Sequence, residues 1–153
     1  MASNLRAILG AVKTAIQAVN GTGGYVYDLS ASGVVQIGQP TLADGPMPPR
    51  VWIWVEGVTG EHGPELGAYR RGVNINVAAE VPSTSTTREE HLLAACDLLD
   101  DLSVALQADR TLDSTVLDVL VNGAPLSGAE LGIPGTASAA LAVDVYYFET
   151  GGW

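Results

Sequence analysis

The chain is short of cations. It has one lysine, Lys13, and 7 Lys+Arg in all against 17 Asp+Glu, a net charge of −10 over 153 residues. So few cations cannot neutralise a row of phosphates, which excludes charge-driven nucleic-acid binding by the chain as a whole. Cysteine is equally scarce: Cys96 alone excludes an internal disulfide framework and a cysteine-based zinc site. Histidine is limited to His62 and His91, too far apart for a His-rich metal centre. No run approaches the ~20 apolar residues that span a bilayer. What is plentiful is apolar side chain, 47% of residues against 16% charged, the composition of a packed fold. At this length one domain with a real core is expected. These features together point to a cytosolic, cofactor-free protein without a membrane segment.

Residues 1–21 could be mistaken for a signal. However, Leu5, Ile8, Leu9, Val12, Ile16 and Val19 recur at helical spacing, interrupted by Arg6, Lys13, Gln17 and Asn20. That is an amphipathic helix lying on a core, with Ser3 as the expected N-cap and Gly21 as the expected stop. A cleaved signal is not expected, because the charges lie inside the stretch and not before it. Two short strands follow at 25–27 and 34–37, with Ser32-Gly33 at their turn. Pro40, Pro46, Pro48 and Pro49 then mark a long loop, 38–50.

The clearest strand is 51–58, where Val51, Ile53 and Val55 face one way and Trp52, Trp54 and Glu56 the other. A second loop, 59–68, carries Gly60, Gly63, Pro64 and Gly67. It leads to another alternation at 69–81, with Tyr69, Arg71, Val73, Ile75 and Val77 on one face. The two strands are expected to pair as a long hairpin with an extended, mobile tip.

Thr86 to Glu89 and Thr87 to Glu90 both stand in capping-box register and open a helix that runs to about residue 108. Leu92, Cys96, Leu99, Ser103 and Leu106 mark its expected inner stripe, widened by Ala95 and Leu102. Glu90, Asp97 and Asp101 fall on the far side with Asp100 beside them, and no Lys or Arg lies between Glu89 and Gln107. This acid face therefore lacks the i,i+4 cations that usually accompany one. A strand at 116–121, a turn-rich loop and a last strand ending near Phe148 complete the order α-β-β-β-β-α-β-β. The expected fold is a single α+β domain, 1–153: a mainly antiparallel sheet with two helices packed on one face.

Catalytic chemistry finds no foothold. Acid/base work needs two carboxylates in different environments, and Asp97, Asp100 and Asp101 share one solvated face. The hydroxyls of 82–87 serve a loop and a cap, and no G-x-S-x-G elbow exists. The glycines of 21–24 follow a helix and complete no phosphate-binding pattern. Cys96 on the leucine stripe is expected as a buried small hydrophobe, and both histidines are expected to face solvent. No catalytic, cofactor-binding or metal-ligating residue is therefore assigned.

Surface is the remaining feature. Trp52 and Trp54 share one strand face, either filling the space under the helices or forming an exposed interface. Apolar residues on both faces of that strand point to another subunit covering the second. Arg70 and Arg71, the only adjacent basic pair, are either plain surface residues or partners for a neighbour's carboxylates.

The stretch from Arg88-Glu89-Glu90 through Leu98-Leu99-Asp100-Asp101-Leu102 to Asp109-Arg110-Thr111-Leu112 resembles the tail terminator (tail-completion, minor tail) proteins of long-tailed bacteriophages. The resemblance takes in the first helix, the Arg71-Gly72-Val73-Asn74-Ile75 strand, the strand at 116–121 and the last strand at 141–148 with Glu149 and the glycines after it. It implies an α+β sheet with two helices and a structural virion protein without catalytic residues. The family's role is a ring, typically six copies, that caps the head-proximal end of the tail tube, stops its polymerisation and meets the head connector. Its assembly would take place in the host cytoplasm, with tail-tube and connector proteins as neighbours. DNA slides through such a ring, and a lumen of carboxylates repels phosphate. Glu90, Asp97 and Asp101, or the loop acids Glu61 and Glu65, are the expected channel-facing group. Tail-tube subunits and neck adaptors share the size, acidity and α+β content, and stacking separates them, since tube subunits polymerise and a terminator stops at one ring. A small enzyme using the carboxylates of the 88–108 helix is the competing class, and it would need those acids in a concave pocket.

Overall fold

The computed structural model describes residues 4–40, 49–62, 68–84, 86–112, 116, 118–123 and 136–150. Helix α1 (Asn4–Gln17) buries Ile8, Val12 and Ile16, which recur every four residues. It closes in a tight turn, with the Ala18 N–H on the Ala15 carbonyl and the Val19 N–H on the Ile16 carbonyl, and not at Gly21. Gly21 does take a left-handed φ of 76°, but it does so in the next turn, where Asn20 and Asp28 form an isolated bridge. The expected cap, Ser3, lies outside the described residues.

Among the described residues five strands make one sheet in the order β1-β2-β3-β5-β4: β1 (Val35–Ile37), β2 (Arg50–His62), β3 (Ala68–Pro82), β4 (Asp118–Gly123) and β5 (Thr136–Thr150). The β1–β2 pair is parallel and the others are antiparallel. With α2 (Arg88–Ala108) before β4, the architecture is the expected α+β sheet with two helices, with one strand fewer among the described residues than the alternation indicated. Residues 25–27 form no strand and no hairpin with β1. Their amides go instead to a side chain on α2, described below. The long hairpin does form, and its strands run further into the second loop than expected, pairing Thr59 with Gly72 and His62 with Tyr69. Residues 63–67 and 41–48, the rest of the two loops, lie outside the described residues.

Alternation decides the sheet's faces. Val51 and Ile53 of β2, Val73, Ile75 and Val77 of β3, Val119 of β4 and Leu141, Val143 and Val145 of β5 are all buried in one core with both helices. Helix α1 lies over β1 and β2, and α2 lies over β5 and β4. At Val55/Gly57 a bulge inserts Glu56, which reverses the phase of β2 beyond it. Val58 then points to the helix side, yet it is exposed, while its register partner Val73 is buried.

Helix α2 is turned relative to its sequence reading. Its buried line is Ala95, Leu98, Asp101, Leu102, Ala105 and Leu106, while Cys96, Leu99 and Ser103 are half-buried and Leu92 and Leu93 are exposed. Cys96 is thus at the edge of the core and not within it. After the helix, Arg110 clasps Asp118 with two bonds of 2.7 and 2.8 Å, setting the start of β4.

Candidate functional site

Asp101 is the one buried charged residue among the described residues, 4% exposed. Its carboxylate accepts the backbone N–H of Tyr27 at 2.8 Å and that of Val26 at 3.0 Å. A buried carboxylate needs such donors to replace its lost hydration. The Tyr27 hydroxyl completes the join by donating to the Ala94 carbonyl at 3.2 Å. Burial first, then the negative charges of Asp97 and Asp101, push the Tyr27 phenol above its ordinary pKa. Asp101 is therefore a structural clasp holding the 25–27 segment to α2, and it does not belong among channel-facing acids.

The other expected acids separate as follows. Glu90 is exposed and is the N3 residue of a full capping box with Thr87, which rules out the Thr86–Glu89 register as the box. Its carboxylate accepts the Thr86 N–H at 2.7 Å, and the amides of Thr86 and Thr87, the Thr86 hydroxyl and His91 hold its pKa below the ordinary range. Asp97 and Asp100 are exposed on α2 beside the Gly23–Gly24 turn, where a shallow notch of about 250 Å³ opens. Glu65 and the side chain of Glu61 lie outside the described residues, as does that of His62. His91 is half-buried and not solvent-facing as expected.

The two tryptophans also separate. Both lie on the sheet face away from the helices, since Val51 and Ile53 take the core side. Trp52 is nevertheless only 5% exposed. In the register it opposes Ala78, and the Arg50 guanidinium lies 4.8 Å over its ring, held by a 2.7 Å ion pair to Glu80. Trp54 is half-buried and donates its indole N–H to Glu56, which also accepts from Asn76 at 2.8 Å. Beyond it, half-buried Ala78, Ala140, Ala142 and Tyr146 and exposed Leu120 continue this face. Arg71 is half-buried, opposite Gly60 and Tyr147, and the side chain of Arg70 lies outside the described residues.

Sequence reasoning missed Arg50 and Glu80. Their signal was Arg50 two positions before Trp52, which puts both on one strand face, but the Glu80 partner becomes visible only with the β2–β3 register. Among the described residues no group of three or more His, Cys, Asp or Glu is placed to hold a metal ion. No helix among them is long and apolar enough to cross a membrane. Among the described residues this surface offers a partly open aromatic face and exposed carboxylates. Compared with known proteins, the chain matches no family model and no curated sequence.

Proposed function

We propose that the chain is a ring-forming structural subunit of a phage tail, a tail terminator that caps the head-proximal end of the tube and joins it to the head connector. The observation that carries this reading is a sheet with both helices on one face. Among the described residues two helices build the core on one face, while the other presents Trp54, Tyr146 and Leu120. A face of this kind suits contact between copies better than enclosure of a small substrate. The α+β sheet with two helices is also the fold implied by the resemblance to tail terminators.

In this reading the ring, of six copies by the same resemblance, is part of the virion, and the net charge of −10 keeps passing DNA from adhering. Glu90 and Asp97, with Asp100, supply exposed carboxylate to it. The test is to add the purified chain to polymerising tail-tube subunits. Tubes that stop growing with one end blocked are expected, and growth unchanged at molar excess would contradict the role.

A further inference from the structure

The two edges of the sheet are stepped. On one edge β1 covers β2 only at 51–53, so from Trp54 to His62 β2 is the outermost strand among the described residues. On the other edge β4 covers β5 only from Ala142 to Tyr146, and among the described residues 136–141 are outermost. The register puts the steps at matching heights. Leu120 of β4 stands in the row of Asp144, Asn74 and Gly57, beside the bare part of β2. Gln36 of β1 stands in the row of Trp52, Ala78 and Ala140, beside the bare part of β5. Among the described residues, each edge protrudes where the opposite edge is recessed.

Backbone direction matches as well. The Val51 N–H donates to the Val34 carbonyl and the Gly38 N–H to the Ile53 carbonyl, both at 2.8 Å, so residues 51 and 53 address the outer edge. Alternation extends this to Val55, and the extra residue at the bulge moves it to Val58. Followed across the sheet, the same alternation turns Val119 and Val121 of β4 outward, in the rows of Val58 and Val55. The Val119 N–H is met by the Asp118 carboxylate at 2.9 Å, so its carbonyl and the Val121 peptide are the groups offered. On the other step, Ala140 of β5 turns outward between the rows of Val35 and Ile37, the stagger that a parallel ladder uses.

We propose that β4 of one copy pairs antiparallel with β2 of the next around Val55 and Val58, while that neighbour's β1 pairs in parallel with β5 around Ala140. The sheet then continues from copy to copy. The occupant of each recess is a second copy of this chain, because each recess fits the protrusion on the sheet's own opposite edge. The contact is heterologous, as ring closure requires, and it answers the hazard of a long bare edge strand. This inference rests on the ring reading and names its contact.

Proline tests it, since an edge strand tolerates proline only where the lost N–H is not paired. Val58→Pro and Val121→Pro each remove an outward N–H. Each variant, checked for folding by circular dichroism, is expected to be a monomer where the parent chain forms rings. Mixed together they are expected to give a 1:1 dimer and no larger species, because one keeps its β4 edge and the other its β2 edge. A second readout covers a variant that does not fold. Gly57 has open space for a Cβ and Leu120 is exposed, and the proposal makes them a facing pair between copies. Gly57→Cys with Leu120→Cys in a Cys96→Ser chain should give a ladder of covalent oligomers on mild oxidation. Rings from both proline variants together with monomer only after oxidation would overturn the edge pairing and leave the ring reading standing. A parent chain that is monomeric and a double-cysteine chain that gives no ladder would overturn both.

Discussion

Asp101 on α2 accepts the backbone N–H of Tyr27 at 2.8 Å, joining two segments 74 residues apart in sequence. Asp101→Ala would leave the amides of Val26 and Tyr27 without their acceptor. The expected cost is about 2–4 kcal/mol, since each lost charge-assisted bond strands a partly buried donor. Urea denaturation measures it, and a loss within experimental error would show that the clasp contributes nothing to folding.

Tyr27 gives a pH dependence of definite sign. Its folded pKa is raised, so its contribution is fully present below the unfolded value of about 10 and is lost as pH rises through the higher folded value. Stability should therefore fall on the alkaline side. Tyr27→Phe should cost about 0.5–1 kcal/mol at neutral pH and flatten that alkaline fall. An unchanged alkaline limb in denaturation curves would mean that the phenol is not the group responsible.

The capping box of α2 behaves in the opposite sense. The folded pKa of Glu90 is lowered, so its contribution is present above the ordinary glutamate value and is lost as pH falls through the lower folded value. Thr87→Ala should cost about 1 kcal/mol, and Glu90→Gln should blunt the acid sensitivity of helix content. Circular dichroism between pH 2 and 6, a span chosen about the ~4.3 of an unperturbed glutamate, reads both. Equal acid sensitivity in the Glu90→Gln chain would remove the box from the explanation.

Trp52 and Trp54, alike in sequence, should fail differently. Trp52→Asp buries a charge beneath Arg50 and beside Ala78 and should unfold the chain, whereas Trp52→Ala should cost about 3–5 kcal/mol. Trp54→Asp should leave a folded protein that no longer assembles, because Trp54 remains partly open on the sheet face. A folded Trp52→Asp protein would overturn the placing of Trp52 in the core, and a Trp54→Asp protein that still assembles would remove Trp54 from the contact between copies.

Where sequence alone sufficed, one strong periodicity or one local motif did the specifying. The Val51-Ile53 and Val73-Ile75-Val77 alternations placed the hairpin but left its inner face open between the valines and the tryptophans, and Thr87–Glu90 placed the start of α2. The errors have a common cause in long-range contacts. Tyr25-Val26-Tyr27 has strand-like residues, but its amides are satisfied by Asp101, a partner 74–75 residues away that no local rule indicates. On α2, leucines run nearly around the helix, so spacing does not single out the buried Leu98-Leu102-Ala105 line from the expected Leu92-Cys96-Leu99 stripe. The buried line carries Asp101, whose burial depends on the distant Val26 and Tyr27 amides. The fate of Trp52 likewise depended on Glu80 arriving across the sheet to hold Arg50 in place.

The most direct measurement is electron microscopy of the purified full chain, with its mass in solution determined alongside. Closed rings of one fixed copy number, with a central hole and a lumen of negative potential, are expected. A compact monomer at every concentration, or long stacked tubes in place of single rings, would contradict that expectation.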